Sequence, residues 1–168
     1  HIQKFIKENG LKFQKRVYWE QQRNKSEFEK DVKKYEEDAQ KEAGAIFMAV
    51  CRGKLSEGYN FKDNLARAVF IVGFPLMNLD CLQYRIQQYI QPDSKKLDEW
   101  YYKDASVAIN QAAGRLIRHT YDFGCLYILG EMACSRRRLP IWIQQGSIED
   151  GIPFDKVIEN TKKYIEWK

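Results

Sequence analysis

The stretch Ala45-Ile-Phe-Met-Ala-Val-Cys51 is an unbroken apolar run of the length of a β-strand. Similar runs follow at residues 68–73 and 125–129. None of them alternates apolar with polar residues, which favours strands that are buried on both faces, as in a parallel sheet flanked by helices. We therefore expect residues 45–51 and 68–73 to form interior strands of a mainly parallel sheet.

Helix-like stretches separate these strands, at about residues 79–90 and 97–118, and another follows at about 154–167. In the second stretch, apolar residues recur at spacings of four and three, as on a helix that packs against a core. They are Leu97, Tyr101, Ala105, Ala108, Ala112 and Leu116. Strands that alternate with helices, without an internal repeat, predict an α/β fold.

The composition is that of a globular domain. The chain has 168 residues, of which 44% are apolar, and this length suffices for one domain with a substantial core. Its net charge of +5 permits contact with nucleic acid but does not demand it. Arg136-Arg137-Arg138 is a dense basic cluster, for which a solvated loop is favoured over a phosphate contact. The first residue is His1 rather than Met, so we expect a piece of a longer chain.

The cysteine pattern indicates neither a zinc site nor a disulfide framework. The four cysteines show no CxxC pair, and no histidine lies at ligand spacing from them. Reduced thiols are therefore the default interpretation. The apolar runs are too short to span a bilayer, and the amino terminus lacks the pattern of a signal peptide. We predict no metal site in this chain and no membrane contact.

Three polar side chains are candidates for an anion-binding site on the helix predicted at residues 97–118. Gln111, Arg115 and Arg118 are spaced i, i+4 and i+7, which places them in one narrow stripe of a helix. Arginine forks suit phosphate oxygens, and a sheltered site strengthens the attraction. The alternative is a solvated helix face with two ordinary surface arginines, and the spacing alone does not decide between the two.

Two segments resemble motifs V and VI of the XPD/FANCJ family of superfamily-two DNA helicases. They are Arg52-Gly-Lys-Leu-Ser-Glu-Gly-Tyr-Asn-Phe61 and Asn110-Gln-Ala-Ala-Gly-Arg-Leu-Ile-Arg-His119. Arg67-Ala-Val69 and Gly73-Phe-Pro75 match the pattern after motif V, and Asp122-Phe-Gly124 matches the pattern after motif VI. His119 and Trp100-Tyr101 look closer to FANCJ and the telomere-elongation regulator helicase than to XPD.

This resemblance implies that residues 1–168 form a single RecA-like domain, the second of the two in a helicase motor. ATP would lie between the two domains. By resemblance, Arg115 and Arg118 would be arginine fingers that reach the γ-phosphate, with Gln111 as a supporting contact. Motif V, at about residues 52–61, would place Glu57 and Gly58 at the nucleotide side.

Further implications of the resemblance concern partners and cofactors. Arg52, Lys54 and Ser56 would contact phosphates of single-stranded DNA or relay the closure of the two domains. The first RecA-like domain of the same polypeptide would be the other partner, and it would hold most of the ATP and Mg²⁺. A 4Fe–4S cluster would belong only to that other half, so none of the four cysteines here is assigned to it. The family also implies a nuclear location and a part in DNA repair.

The chain lacks half of a nucleotide site. It contains no G-x-x-x-x-G-K-[ST] phosphate loop and no DEAH-like box. Phosphoryl transfer needs a cradle for the β- and γ-phosphates and a holder for magnesium. We therefore predict that the isolated chain does not hydrolyse ATP, and that it acts within an ATP-dependent helicase that moves 5′ to 3′ on single-stranded DNA.

Two departures from the family pattern leave a second hypothesis open. Asn60 stands where the family usually has Asp, and Gly130-Glu131-Met132-Ala133 stands where it usually has an Asp-x-Arg-Phe-like turn. Both departures favour a degenerate, non-hydrolysing module of the same fold, which binds nucleic acid or docks a partner. The intact arginine pattern of motif VI favours the helicase.

Overall fold

The computed structural model describes residues 12–20, 25–59, 61, 65–117, 122–130, 136–146 and 151–167, together with Lys4, Ile6 and Glu8. For a few of these residues only the backbone is described, namely Ser56, Glu57, Arg136, Phe154, Glu166 and Trp167. The chain divides into two compact units, His1–Leu65 and Ala66–Lys168, and each contains one parallel pair of strands.

The first unit is built on strands β1 (Arg16–Trp19) and β2 (Ala45–Met48), with helix α1 (Lys25–Ala39) between them in the chain and packed on the pair. The short helix α2 (Lys54–Gly58) follows β2. The core of the first unit is aromatic, because rings from both strands, from α1 and from the segment after α2 meet at centroid distances of 5.1 to 6.5 Å. These rings are Tyr18, Phe28, Tyr35, Phe47, Tyr59 and Phe61.

A buried carboxylate on the inner face of α1 joins this helix to β1. Asp38 is only 6% exposed. It accepts hydrogen bonds from Lys41 Nζ at 2.5 Å and Tyr18 Oη at 2.6 Å, and it pairs with Arg16 Nη1 at 2.7 Å. The Lys41 ammonium first, then the Tyr18 hydroxyl and the Arg16 guanidinium, lower the pKa of Asp38 to about 2.

The second unit is built on strands β3 (Ala68–Val72) and β4 (Cys125–Leu129). Its helices are α3 (Leu82–Ile90), α4 (Ser94–Ala113), α5 (Ile141–Gln144) and α6 (Phe154–Trp167), with a 3₁₀ helix at Arg136–Arg138. Helix α4 is central: it contacts β3 and buries Leu97, Ala105, Ala108, Ile109 and Ala113. The basic cluster is helical, and the Arg138 guanidinium lies 3.5 Å over the Tyr102 ring.

The predicted α/β class, with parallel strands flanked by helices, is confirmed. The prediction that residues 68–73 are covered on both faces is wrong. In β3, Ile71 is 3% exposed, whereas Phe70 is 54% and Val72 75% exposed. Helix α6 covers only part of the face that carries Phe70. The Thr161 side chain of this helix forms a hydrogen bond with the Tyr127 side chain.

The first predicted strand is also shorter than expected. It ends at Met48, and the last residues of the apolar run enter a turn in which Gly53 N–H donates to Val50 O at 2.9 Å. Val50 is consequently 68% exposed. None of the helices in the described part combines the length and the apolar character that are needed to cross a membrane.

Candidate functional site

The segment that resembles motif V lies in the first unit, where the chain leaves the carboxyl end of β2. After the turn at residues 50–53 the chain enters α2 at Lys54, which is exposed. Leu55 is 8% exposed and anchors the segment in the core. Arg52 is half-buried and has a φ of 68°, a left-handed conformation that few residues other than glycine adopt.

Glu20, which directly follows β1, contacts this turn. Its carboxylate accepts the backbone N–H of Val50 at 3.1 Å, of Lys54 at 2.5 Å and of Leu55 at 3.4 Å. A Cβ on Gly53 would lie 2.5 Å from both carboxylate oxygens, so only glycine leaves room for this contact. No local sequence pattern predicts this role of Glu20, because the residues in contact are at least 30 positions apart.

The predicted DNA-binding and nucleotide-binding residues of motif V are placed as follows. Arg52 and Lys54 lie on either side of Gly53 in the turn. Ser56 and Glu57 lie within α2, and their side chains are outside the described part of the structure. Gly58 ends α2 and is exposed, and a Cβ there would meet nothing within 4 Å. Asn60, the first departure from the family pattern, lies outside the described residues.

The segment that resembles motif VI lies in the second unit, at the end of α4. The helix predicted at residues 97–118 ends sooner, at Ala113, so the prediction that Gln111 and Arg115 share a stripe of one helix is wrong. The N–H groups of Arg115 and Leu116 donate to carbonyls three residues back, at 3.1 and 2.9 Å, which is the bonding of a tighter turn. Gln111 is therefore on the last turn of the helix, and Arg115 follows it, both half-buried. Arg118 lies outside the described residues.

The early end of α4 is caused by Gly114, which a buried leucine follows two residues later. Glycine is about 1 kcal/mol less favourable than alanine within a helix. Gly114 caps α4, and its N–H donates to Asn110 O at 2.9 Å. Two residues later Leu116 is 2% exposed. A Cβ on Gly124 would overlap the Leu116 side chain and lie 3.0 Å from Arg67 O, so the missing side chain makes room for this contact.

A buried ion pair supports the same region. Arg67 Nη1 lies 2.9 Å from Asp122 Oδ1 and donates to Phe123 O at 2.9 Å, while the guanidinium is 4.1 Å from the Phe123 ring centroid. The Asp122 side chain is only 3% exposed. Both ionic residues belong to the patterns after motifs V and VI, but no sequence pattern predicts that they pair with each other. They connect the beginnings of β3 and β4, beside the turn that carries Arg115.

The described side chains offer donors for anions. In the ranges that the structure covers, no group of three or more His, Cys, Asp or Glu side chains is placed to hold a metal ion. Cys51, Cys81 and Cys125 form no disulfide, and burial raises the pKa of the Cys51 thiol. The basic residues at the two motif segments instead suit the recognition of phosphate groups.

Comparison with known proteins identifies the family. Residues 1–146 match the model of the helicase C-terminal domain. The chain is 33% identical to the regulator of telomere elongation helicase 1 homolog of Drosophila persimilis and 32% identical to that of Drosophila melanogaster, each over 86% of this chain. It covers only 16% of each of these relatives. The chain therefore belongs to the helicase C-terminal domain family and is a carboxy-terminal domain of the XPD/FANCJ type.

Proposed function

We propose that this chain is the carboxy-terminal motor domain of an ATP-dependent DNA helicase that moves 5′ to 3′ on single-stranded DNA in the nucleus and serves DNA repair. Membership of the helicase family supports the general activity. The observation that carries the proposal is the retention of Gln111, Arg115 and Arg118, in the order and spacing of motif VI, from the last turn of α4 onward.

In this proposal the nucleotide site is shared between two domains. ATP and Mg²⁺ are held mainly by a first RecA-like domain of the same polypeptide, where a 4Fe–4S cluster would also belong. Arg115 and Arg118 stabilise charge on the transferred phosphate, with Gln111 as a supporting contact, because guanidinium groups remain charged and match phosphate oxygens. Glu57 and Gly58 lie on the nucleotide side.

The same proposal assigns the motif V turn to the DNA track. Arg52, Lys54 and Ser56 contact phosphates of single-stranded DNA, and these contacts make binding dependent on salt rather than on base sequence. Directionality is tested by strand displacement on duplexes that carry either a 5′ or a 3′ single-stranded tail. Unwinding that starts only from the 5′ tail supports the proposed polarity, and unwinding from the 3′ tail contradicts it.

The arginine fingers are tested in the full-length protein. Arg115→Ala or Arg118→Ala should lower DNA-stimulated ATP hydrolysis by about 10³- to 10⁵-fold, because a finger stabilises charge in the transition state. Lys103→Ala is the matched control, since Lys103 is an exposed cation on α4. Steady-state ATPase and thermal melting are measured on the same samples.

Near-normal turnover would remove the finger assignment, and a large fall in melting temperature would make the arginines structural. Absence of turnover in the unmodified full-length protein would favour the degenerate, non-hydrolysing module, the hypothesis that Asn60 and residues 130–133 raised. The isolated domain should show no turnover, and turnover that Arg115→Ala abolishes would contradict the shared site.

A further inference from the structure

Glu20 and the turn at residues 50–55 meet at one edge of the first sheet. Strands β1 and β2 are parallel, so their carboxyl ends lie side by side, with Trp19 opposite Met48. Glu20 N–H donates to Met48 O at 2.8 Å, which fixes the glutamate backbone to the neighbouring strand. The carboxylate therefore reaches the turn from the sheet and not from another loop.

The carboxylate satisfies amides that the helix itself cannot satisfy. Lys54 and Leu55 are the first residues of α2, and the N–H groups of a first helical turn have no acceptor within their own helix. A side chain at the N-cap usually accepts from them, but the N-cap here is Gly53, which makes no side-chain hydrogen bond. Glu20 performs this capping from a distant part of the chain, with an ionised acceptor that strengthens each bond.

The same contacts surround a strained residue. Arg52 has a φ of 68°, and such conformations persist where the neighbouring structure over-determines them. On one side, Val50 N–H donates to Glu20 Oε2 and Val50 O accepts from Gly53 N–H. On the other side, Lys54 N–H donates to Glu20 Oε1. The backbone conformation at Arg52 is thus held by contacts on both of its sides.

We propose that Glu20 is a positioning residue, whose carboxylate fixes the backbone of residues 50–55 so that Arg52 and Lys54 are presented to the phosphates of a single-stranded nucleic acid. The part that concerns phosphate rests on the proposed function. The part that concerns the turn rests on the geometry of the first unit alone, so the two parts fail separately.

The fixed turn is tested with a double-mutant cycle between Glu20 and Gly53 in the full-length protein. Gly53 has φ −86° and ψ 179°, which alanine adopts freely, so the obstacle to Gly53→Ala is the Glu20 carboxylate. Gly53→Ala and Glu20→Ala should each speed hydrogen exchange in the peptide that covers residues 50–58 by about ten- to a hundredfold. Because both changes remove the same contact, the double variant should be no faster than either single one.

Two further variants separate positioning from general destabilisation. Glu20→Gln keeps one accepting oxygen and should give an intermediate exchange rate. Glu37→Ala removes an equal charge from the exposed face of α1 and should leave exchange at residues 50–58 unchanged. Unchanged exchange in Glu20→Ala, or effects of the two alanine substitutions that simply add, would overturn the positioning role.

The affinity for single-stranded DNA, measured without nucleotide, tests the role toward phosphate. The direction in which the affinity changes distinguishes positioning from a simple loss of charge. Loss of a carboxylate near phosphate contacts would by itself tighten binding, because it removes a repulsive charge. Positioning predicts the opposite: Glu20→Ala and the uncharged change Gly53→Ala should both weaken binding, by about tenfold. Tighter or unchanged binding, together with faster exchange, would overturn the phosphate part. A full-length protein that binds no single-stranded DNA would instead contradict the proposed function, while the exchange cycle still tests Glu20.

Discussion

The motif V turn in the first unit is held mainly by backbone amides that bond one carboxylate, whereas the turn after α4 in the second unit depends more on buried side chains. In the first, one partly accessible carboxylate, that of Glu20, accepts three amides. In the second, Leu116 packs against Gly124, and the Arg67–Asp122 ion pair lies beside them in the interior. A turn held by amide contacts can be loosened without a cavity in the core. A turn held by buried side chains is part of the core itself, so its supports also determine the stability of the unit.

The largest effect should come from the buried ion pair. Arg67→Ala removes the cationic partner of Asp122, whose side chain is 3% exposed whereas that of Arg67 is 26% exposed, and loss of one partner of a largely buried pair costs about 3–5 kcal/mol of unfolding free energy. The matched control is Arg85→Ala, because the Arg85–Asp80 pair, at 3.7 Å, has side chains 67% and 86% exposed. The control should cost less than about 1 kcal/mol. Urea unfolding measures both, and equal losses would show that the buried pair contributes no more to stability than an exposed pair.

A smaller effect is expected at the leucine–glycine contact. Gly124→Ala places a methyl group against Leu116 and Arg67 O, and such overpacking costs about 1–3 kcal/mol. Gly58→Ala is the control, since a Cβ there meets nothing within 4 Å, and it should change stability by about 0.5 kcal/mol or less. Thermal and urea unfolding are the measurements. If Gly124→Ala is as harmless as the control, the turn after α4 is not held by packing.

The first unit also contains a structural carboxylate, that of Asp38, so its stability should depend on acid pH. The pKa of Asp38 is lowered from 3.8 to about 2, so the folded state favours its ionised form. Its contribution to stability is present in full above about pH 4 and is lost as the pH falls toward about 2. Asp38→Asn should remove this part of the acid dependence, as seen in urea midpoints measured across the range. An identical pH dependence in both proteins would show that Asp38 does not couple α1 to β1.

Much of the fold could be predicted from local patterns. Strand β4 and helix α6 have the predicted bounds, because a short apolar run and a one-sided apolar helix are each visible within a single element. Strand β2 was predicted too long, because the apolar run continues through Val50 and Cys51 into a turn. Hydrophobicity could not reveal this end, because it is determined by hydrogen bonds to Glu20.

The candidate sites were predicted less completely. The spacing of Gln111 and Arg115 suggested a continuing helix, although Gly114 between them was a visible signal for its end. The Arg67–Asp122 pair joins residues 55 positions apart, and Glu20 bonds Val50, which lies 30 positions away. A periodic sequence pattern reflects a single helix or strand and cannot reveal pairs of distant residues. The two contacts that support the motif segments are therefore seen only in the structure.

Helix α6 begins after the last residue that the family model matches, yet it covers part of the second sheet. Thr161 bonds Tyr127, and Tyr164 lies 6.3 Å from Phe123 between ring centroids. A polypeptide cut at Gly146 would therefore leave the stacked Phe70–Tyr127 pair open to other molecules, and apolar sheet surfaces of this kind promote self-association. For recombinant expression, the second unit should therefore be kept through α6, beyond the last residue that the family model matches.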